Sequence, residues 1–157
     1  MSEAVKEHSE SGVVLRGYRP GDWKPMYALD LVCFEPPFRF GQREMRRLAE
    51  APNAITVLAE KGGALIGFCI VHVEDHWGYV VTLDVAPEWR RHGLATRLMD
   101  AVEEQARAAG ATGVGLHVFN GNTGAIRFYE RIGYERIGLH EGFYGRGIDG
   151  LVYRKKW

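Results

Sequence analysis

The sequence predicts an α/β domain with a mixed central β-sheet and helices on both faces. Three observations carry that expectation. Tyr79–Ala86 is an apolar, β-branched run that reads as a buried strand. A helix follows it, because Leu94, Leu98, Met99, Val102, Ala106 and Ala109 recur at three- and four-residue spacing and Gly110 offers a stop. Along the whole chain the segments run strand, two helices, three strands, helix, strand, helix, two strands, an order suited to a helix-covered mixed sheet.

Met1 to Gly12 is polar and aperiodic, the composition of a disordered tail, and residues 13–157 make one domain. Val13–Tyr18 reads as the first strand. Pro20-Gly21-Asp22 turns the chain, with Asp22 placed to cap the helix that Trp23, Met26, Tyr27, Leu29 and Cys33 outline. Phe34 to Phe40 holds two prolines and three aromatics, which excludes a regular helix and is too apolar for a solvated loop. It either folds back over the core or walls a substrate groove. Gln42–Glu50 is a short charged helix. Ala54–Glu60 and Ala64–Glu74 are strands joined by the hairpin turn Lys61-Gly62-Gly63. Pro87 ends the central strand. Gly113–Phe119 is another buried strand, and Gly124–Ile132 a short helix stopped at Gly133. Tyr134–His140 and Gly150–Tyr153 close the domain as strands, with Glu141–Gly147 as a glycine-rich aromatic loop between them.

A chain of 157 residues buries roughly two-thirds of the surface of its unfolded form. Twenty Lys and Arg balance twenty Asp and Glu, so no global field recruits nucleic acid or an anionic membrane as a partner. No secretory core and no apolar run of transmembrane length occurs, which makes a cytoplasmic location the expectation. Cys33 and Cys69 are widely spaced and read as reduced thiols. His72, Glu74, Asp75 and His76 gather at a strand end, but two alternating histidines make a poor ligand set, so a solvated hairpin tip and no metal are expected.

Glu88 to Thr96 carries the first chemistry. A strand, a basic turn with Gly93 and a helix start make an anion site: the first helical N–H groups have no intrahelical partner, and the positive end of the dipole stands behind them. The run Arg90-Arg91-His92-Gly93-Leu94-Ala95 resembles the (Gln/Arg)-x-x-Gly-x-(Gly/Ala) signature of the GNAT superfamily of acetyl-CoA-dependent N-acetyltransferases. A second run, Asn122-x-x-Ala125 followed by Phe128-Tyr129-x-x-x-Gly133-Tyr134, is similar to another motif of that family, and the resemblance covers about residues 13 to 155. It implies the GNAT fold and acetyl-CoA as co-substrate. The pyrophosphate would then lie on Arg90, Arg91, His92, Gly93, Leu94, Ala95 and Thr96. The pantetheine arm would run along Leu83 and Val85, with Asn122 and Tyr129 also at the cofactor. Tyr129 resembles the family's tyrosine that protonates the departing thiolate.

Tyr79–Leu83, Leu116-His117-Val118 and Phe143-Tyr144-Gly145-Arg146 look like the Nα-acetyltransferases that modify protein N-termini, among them the group acting on the N-terminal alanine of a ribosomal protein. That likeness implies Tyr79 and His117 as bases acting through water. It also implies a peptide site formed by Phe34, Glu35, Pro36, Pro37 and Phe38 on one side and Tyr144 and Arg146 on the other. Many relatives carry Tyr-Tyr where this chain has Phe143-Tyr144. An α-amine of pKa about 7.8 is roughly a tenth neutral at pH 7, a lysine amine of about 10.4 less than a thousandth, so an N-terminus needs only modest help from a histidine. The expected substrate is a protein or peptide N-terminus. Acetylation of a small amine or a lysine side chain is the alternative within the fold, and a non-catalytic acyl-CoA-binding module the alternative outside it. Docking of an auxiliary subunit stays open.

Overall fold

A computed structural model describes residues 12–157, so the tail expectation for residues 1–12 lies, but for Gly12, outside the described residues. The strands are β1 (Val13–Gly17), β2 (Ala54–Lys61), β3 (Ala64–Glu74), β4 (Trp77–Val85), β5 (Gly113–Phe119), β6 (Glu135–Gly145) and β7 (Ile148–Lys156). The helices are α1 (Trp23–Cys33), α2 (Gln42–Ala49), α3 (Leu94–Ala108) and α4 (Thr123–Arg131), with a 3-10 turn at Pro87–Trp89. One sheet of order β1-β2-β3-β4-β5-β7-β6 holds all the strands, antiparallel except for β4 beside β5.

The two-residue period of β2 and β3 divides the core. Leu58, Phe68 and Ile70 face α1 and α2, where they meet Met26, Met45 and Ala49. Val57, Ala59, Cys69 and Val71 face the other way, against Leu94, Leu98, Met99, Val102 and Ala106 of α3 and Tyr129 of α4. The helices therefore do cover both faces.

Two expectations are corrected. Asp22 precedes α1 but caps nothing with its side chain: its oxygens accept from Arg16 Nη1 and Nη2 at 2.7 and 2.9 Å and from the Arg19 N–H at 2.6 Å. The guanidinium, also bound to Glu60, is the stronger partner and holds the carboxyl below its usual range. Residues 141–145 are not loop: β6 runs on through them, with its register to β7 shifting between His140 and Gly145. A bulged strand accommodates the glycines that suggested a loop, and the reversal shrinks to Arg146-Gly147.

Candidate active site

The site lies where β4 parts from β5. These strands pair only at Gly78–Val114 and Tyr79–Gly115. On its other edge β4 pairs with β3, but Val71 lies opposite Val80 and Ile70 opposite Thr82, which leaves Val81 as an extra residue. Such a bulge bends its strand and deepens the local twist, and beyond it the two strands diverge. A cleft of about 1120 Å³ opens between them, lined by Val80–Leu83 and Val85 on one side and Val118 and Phe119 on the other.

At one end of the cleft is the turn into α3. Arg90, Arg91, Gly93, Leu94, Ala95 and Thr96 all line it. Gly93 sits at φ 77°, in left-handed space where a side chain is strained, and nothing approaches within 4 Å of the place a Cβ would occupy. Among the described residues no side chain caps α3, so its first N–H groups lie at the cleft without a partner of that kind. The turn is anchored from below: the carbonyl of Val85 accepts from Arg90 Nε at 3.2 Å and from Cys33 Sγ at 3.3 Å. Bare helical amides, open space over a glycine and two arginines fit a pyrophosphate. His92 is the exception in this run; its ring lies against Trp89, 5.7 Å between centroids, and does not line the cleft.

Tyr79 and His117 sit together further in, on the same sheet face. The Tyr79 hydroxyl and His117 Nδ1 are 2.8 Å apart, and His117 Nε2 lies 3.1 Å from Nδ1 of His140. Phe143 stacks on the His117 imidazole at 3.7 Å with the planes 3° apart. That stack is possible because Gly150 backs Phe143: a Cβ there would come within 3.1 Å of the Phe143 Cβ. Burial first, then the nearby His140, lowers the His117 pKa and favours the neutral, proton-accepting ring. Burial raises Tyr79, and raises Tyr129 further, with Cys69 adding to the latter. Tyr144 is pushed up to about 12 by burial. All three phenols therefore keep their protons at neutral pH. Asn122 caps α4 by accepting from the Ala125 N–H at 3.1 Å, and it lines the cleft beside Tyr129.

The two aromatic segments meet in the lining of the cleft. Phe38 lies 5.0 Å from Phe119 and 5.0 Å from Tyr144, edge-on to the latter. Phe34, Pro37, Phe38 and Tyr144 line the cleft, whereas Glu35, Pro36 and Arg146 do not. Glu35 turns outward and uses its carbonyl to accept from the Phe38 N–H at 2.8 Å. Arg146 sits in the exposed β6–β7 turn.

Four features of the site escaped the sequence reading. Arg39 and Arg131 add two cations beside Arg90 and Arg91, against one carboxylate, Glu44. Helical spacing was the available signal for Arg131, since Gly124, Ala125, Phe128 and Arg131 share the cleft face of α4. The bulge at Val81 has no signal in an unbroken β-branched run. His140 was read at a strand end, and only the pairing of β6 and β5 on either side of β7 shows that it reaches His117.

Behind β4, Thr82 Oγ1 donates to Asp84 Oδ1 at 2.6 Å, and the Phe40 N–H donates to Asp30 Oδ2 at 2.8 Å. The remaining oxygens, Asp84 Oδ2 and Asp30 Oδ1, are buried without a hydrogen-bond partner among the described residues. Burial, and then the neighbouring Asp30 carboxyl, pushes the Asp84 carboxyl well above its ordinary range, so it keeps its proton. Among the described residues no cluster of three or more His, Cys, Asp or Glu is placed to hold a metal ion, and no helix is long and apolar enough to cross a membrane.

Comparison with known proteins gives the same frame. Residues 23–134 match the Acetyltransferase (GNAT) family. N-alpha-acetyltransferase 20 of Dictyostelium discoideum is 34% identical over 116 residues, covering 71% of this chain and 67% of its own. The ribosomal-protein-S18-alanine N-acetyltransferase of Escherichia coli superposes with a TM-score of 0.81 at 17% identity, over 92% of this chain and 93% of its own. Arabidopsis thaliana NAA60 in complex with acetyl-CoA superposes with a TM-score of 0.80 at 22% identity, over 92% and 98%. At such identities the two structures speak for the fold. The chain belongs to the GNAT acetyltransferase family.

Proposed function

We propose that this GNAT family member transfers the acetyl group of acetyl-CoA to the N-terminal α-amine of a protein or peptide. The observation that carries the reading is the aromatic closure of the cleft. Phe38 bridges Phe119 and Tyr144, and all three line the same cleft as Tyr79 and His117. A roofed gap admits the free end of a chain and hinders an internal lysine flanked by chain on both sides. The similarity to an N-alpha-acetyltransferase points the same way.

When bound, acetyl-CoA supplies the thioester carbon that the amine attacks. This chain's residues do the rest. The amides at the start of α3, with Arg90 and Arg91, hold the pyrophosphate, and Arg39 and Arg131 add positive charge to the cleft. The β5-facing edge of β4 from Val80 onward, Leu83 included, has no ladder partner and can pair with an amide-bearing arm. Tyr79 and His117 take the amine proton, directly or through a water: the hydroxyl hands its own proton to Nδ1 as it receives one. Tyr129, kept protonated by burial, can donate to the departing sulfur. Tyr144 offers the peptide backbone a hydroxyl, and Phe143 gives up that contact to fix His117 by stacking. Asn122 orders α4 beneath the cofactor, and Phe34 and Pro37 complete the wall.

A panel of peptides differing at positions one and two, each with a free and a blocked N-terminus, tests the proposal by acetyl-CoA turnover. Turnover of the free peptides alone is the expected result. Equal turnover of blocked peptides carrying lysine, or activity confined to small amines, would contradict it.

A further inference from the structure

We propose that His140 is the proton outlet of the site, acting through His117 rather than on the substrate. The inference rests on the transfer reading above. It adds a route by which the amine proton leaves a roofed, partly desolvated cleft.

The geometry is a continuous chain of polar atoms from inside to outside. Tyr79 Oη and His117 Nδ1 are 2.8 Å apart, and His117 Nε2 and His140 Nδ1 are 3.1 Å apart. Phe143 closes one face of the His117 ring and lies tilted against His140, 4.9 Å between centroids, so one side chain aligns both imidazoles. His140 is on the exposed side of β6, whereas Tyr79 and His117 are only partly exposed. An imidazole presents two nitrogens on opposite sides of its ring, so it can accept a proton at one and release a proton from the other.

The transfer balances with one proton entering and one leaving. In the starting arrangement Tyr79 O–H donates to His117 Nδ1, His117 Nε2–H donates to His140 Nδ1, and His140 Nε2–H donates to water. As the amine nitrogen bonds to the acetyl carbon, its proton goes to the Tyr79 oxygen. The phenolic proton passes to His117 Nδ1, the Nε2 proton to His140 Nδ1, and one proton leaves His140 Nε2 for solvent. Every ring ends neutral.

Other titratable groups surround the pair. Tyr144 and Tyr129 face it from β6 and α4 across the cleft, and His72, Glu74 and Arg154 line a groove of about 470 Å³ that shares Tyr79 and His117 on its far side. Among the described residues, however, only Tyr79 and His140 are hydrogen-bonded to the His117 ring. Nε2 of His72 is already engaged with the Leu48 carbonyl at 2.8 Å.

Two variants separate a proton carrier from a mere hydrogen-bond partner. His140→Asn can still meet His117 Nε2 but cannot relay a proton, and His140→Leu can do neither. Steady-state turnover of a free-N-terminal peptide is measured for both across pH, with and without added imidazole. Both variants are expected to lose roughly tenfold in kcat, below the general-base range because the residue is one step removed. Their KM values for peptide and acetyl-CoA stay unchanged, the acid limb of the pH profile moves, and imidazole restores the rate. An Asn variant with the wild-type kcat and pH profile would overturn the inference, as would losses that appear in KM and resist imidazole. Wild-type protein in the same assay separates the two readings. If it leaves the peptide unmodified, the transfer proposal falls and this one with it; if it turns over while the variants match it, only the outlet falls.

Discussion

The two edges of β4 have opposite fates. Against β3 it pairs from Val85 opposite Gly67 to Trp77 opposite Glu74, with a single bulge. Against β5 it pairs only at Gly78 and Tyr79 and then stands free. One strand thus builds the sheet with one edge and offers a binding groove with the other. The bulge at Val81 connects the two, because the extra residue bends the strand away from β5 where the cofactor arm would run. The lesson is that the closed edge should be sensitive in stability and the open edge in rate, and substitutions can separate them.

The largest effect is expected on the open edge. His117→Ala should lower kcat by roughly a hundred- to ten-thousand-fold, the span of general-base catalysis, while calorimetry finds acetyl-CoA binding as in wild type. Because His117 is held below the ordinary histidine pKa, wild-type activity should persist below pH 6.5 before its acid limb sets in, with the substrate amine governing the rise above it.

On the closed side, Leu58 is fully buried between β2 and the α1–α2 layer. Leu58→Ala should cost about 2–5 kcal/mol in chemical denaturation, with kcat per folded molecule unchanged. A rate loss matching that of His117→Ala would dissolve the distinction between the edges.

Phe143→Leu sharpens the open edge. It removes the ring stacked on His117 and should lower kcat/KM by roughly two- to tenfold, the worth of an aromatic pair, with the unfolding midpoint almost unmoved. An effect on stability alone would make Phe143 a core residue rather than a holder of the imidazole.

The smallest effect concerns Asp84, on the closed edge opposite Phe68. Its folded pKa is raised above that of the unfolded chain, so its protonated form contributes stability in full below about pH 4 and loses it as pH rises through the folded value. Asp84→Asn keeps the shape of the side chain and does not titrate. Its thermal midpoint relative to wild type should therefore be higher at pH 8 than at pH 5; a difference independent of pH would mean that the fold does not raise the Asp84 carboxyl.

Much of this was legible in the residues because it rests on local rules. The β-branched run of β4, the three- and four-residue spacing of α3 and the glycine turn between them are short-range signals. What was hidden depends on pairing. Arg16 reached across to claim Asp22, so a sound capping residue did not cap. Gly142 and Gly145 suggested a loop, whereas antiparallel pairing with β7 carried β6 through them. That extension is what brings Phe143 onto His117, and the order β5-β7-β6 is what brings His140 there. His92, Glu35, Pro36 and Arg146 lie within the right segments but point elsewhere, because a motif fixes a stretch of chain and not each side chain's direction.

The most direct test of the account uses one peptide bearing both a free α-amine and an internal lysine. It is incubated with the protein and acetyl-CoA, and the acetylated position is read by tandem mass spectrometry. A roofed gap between β4 and β5 that admits chain ends predicts acetyl on the α-amine, with the lysine unmodified. Acetyl chiefly on the lysine would contradict it.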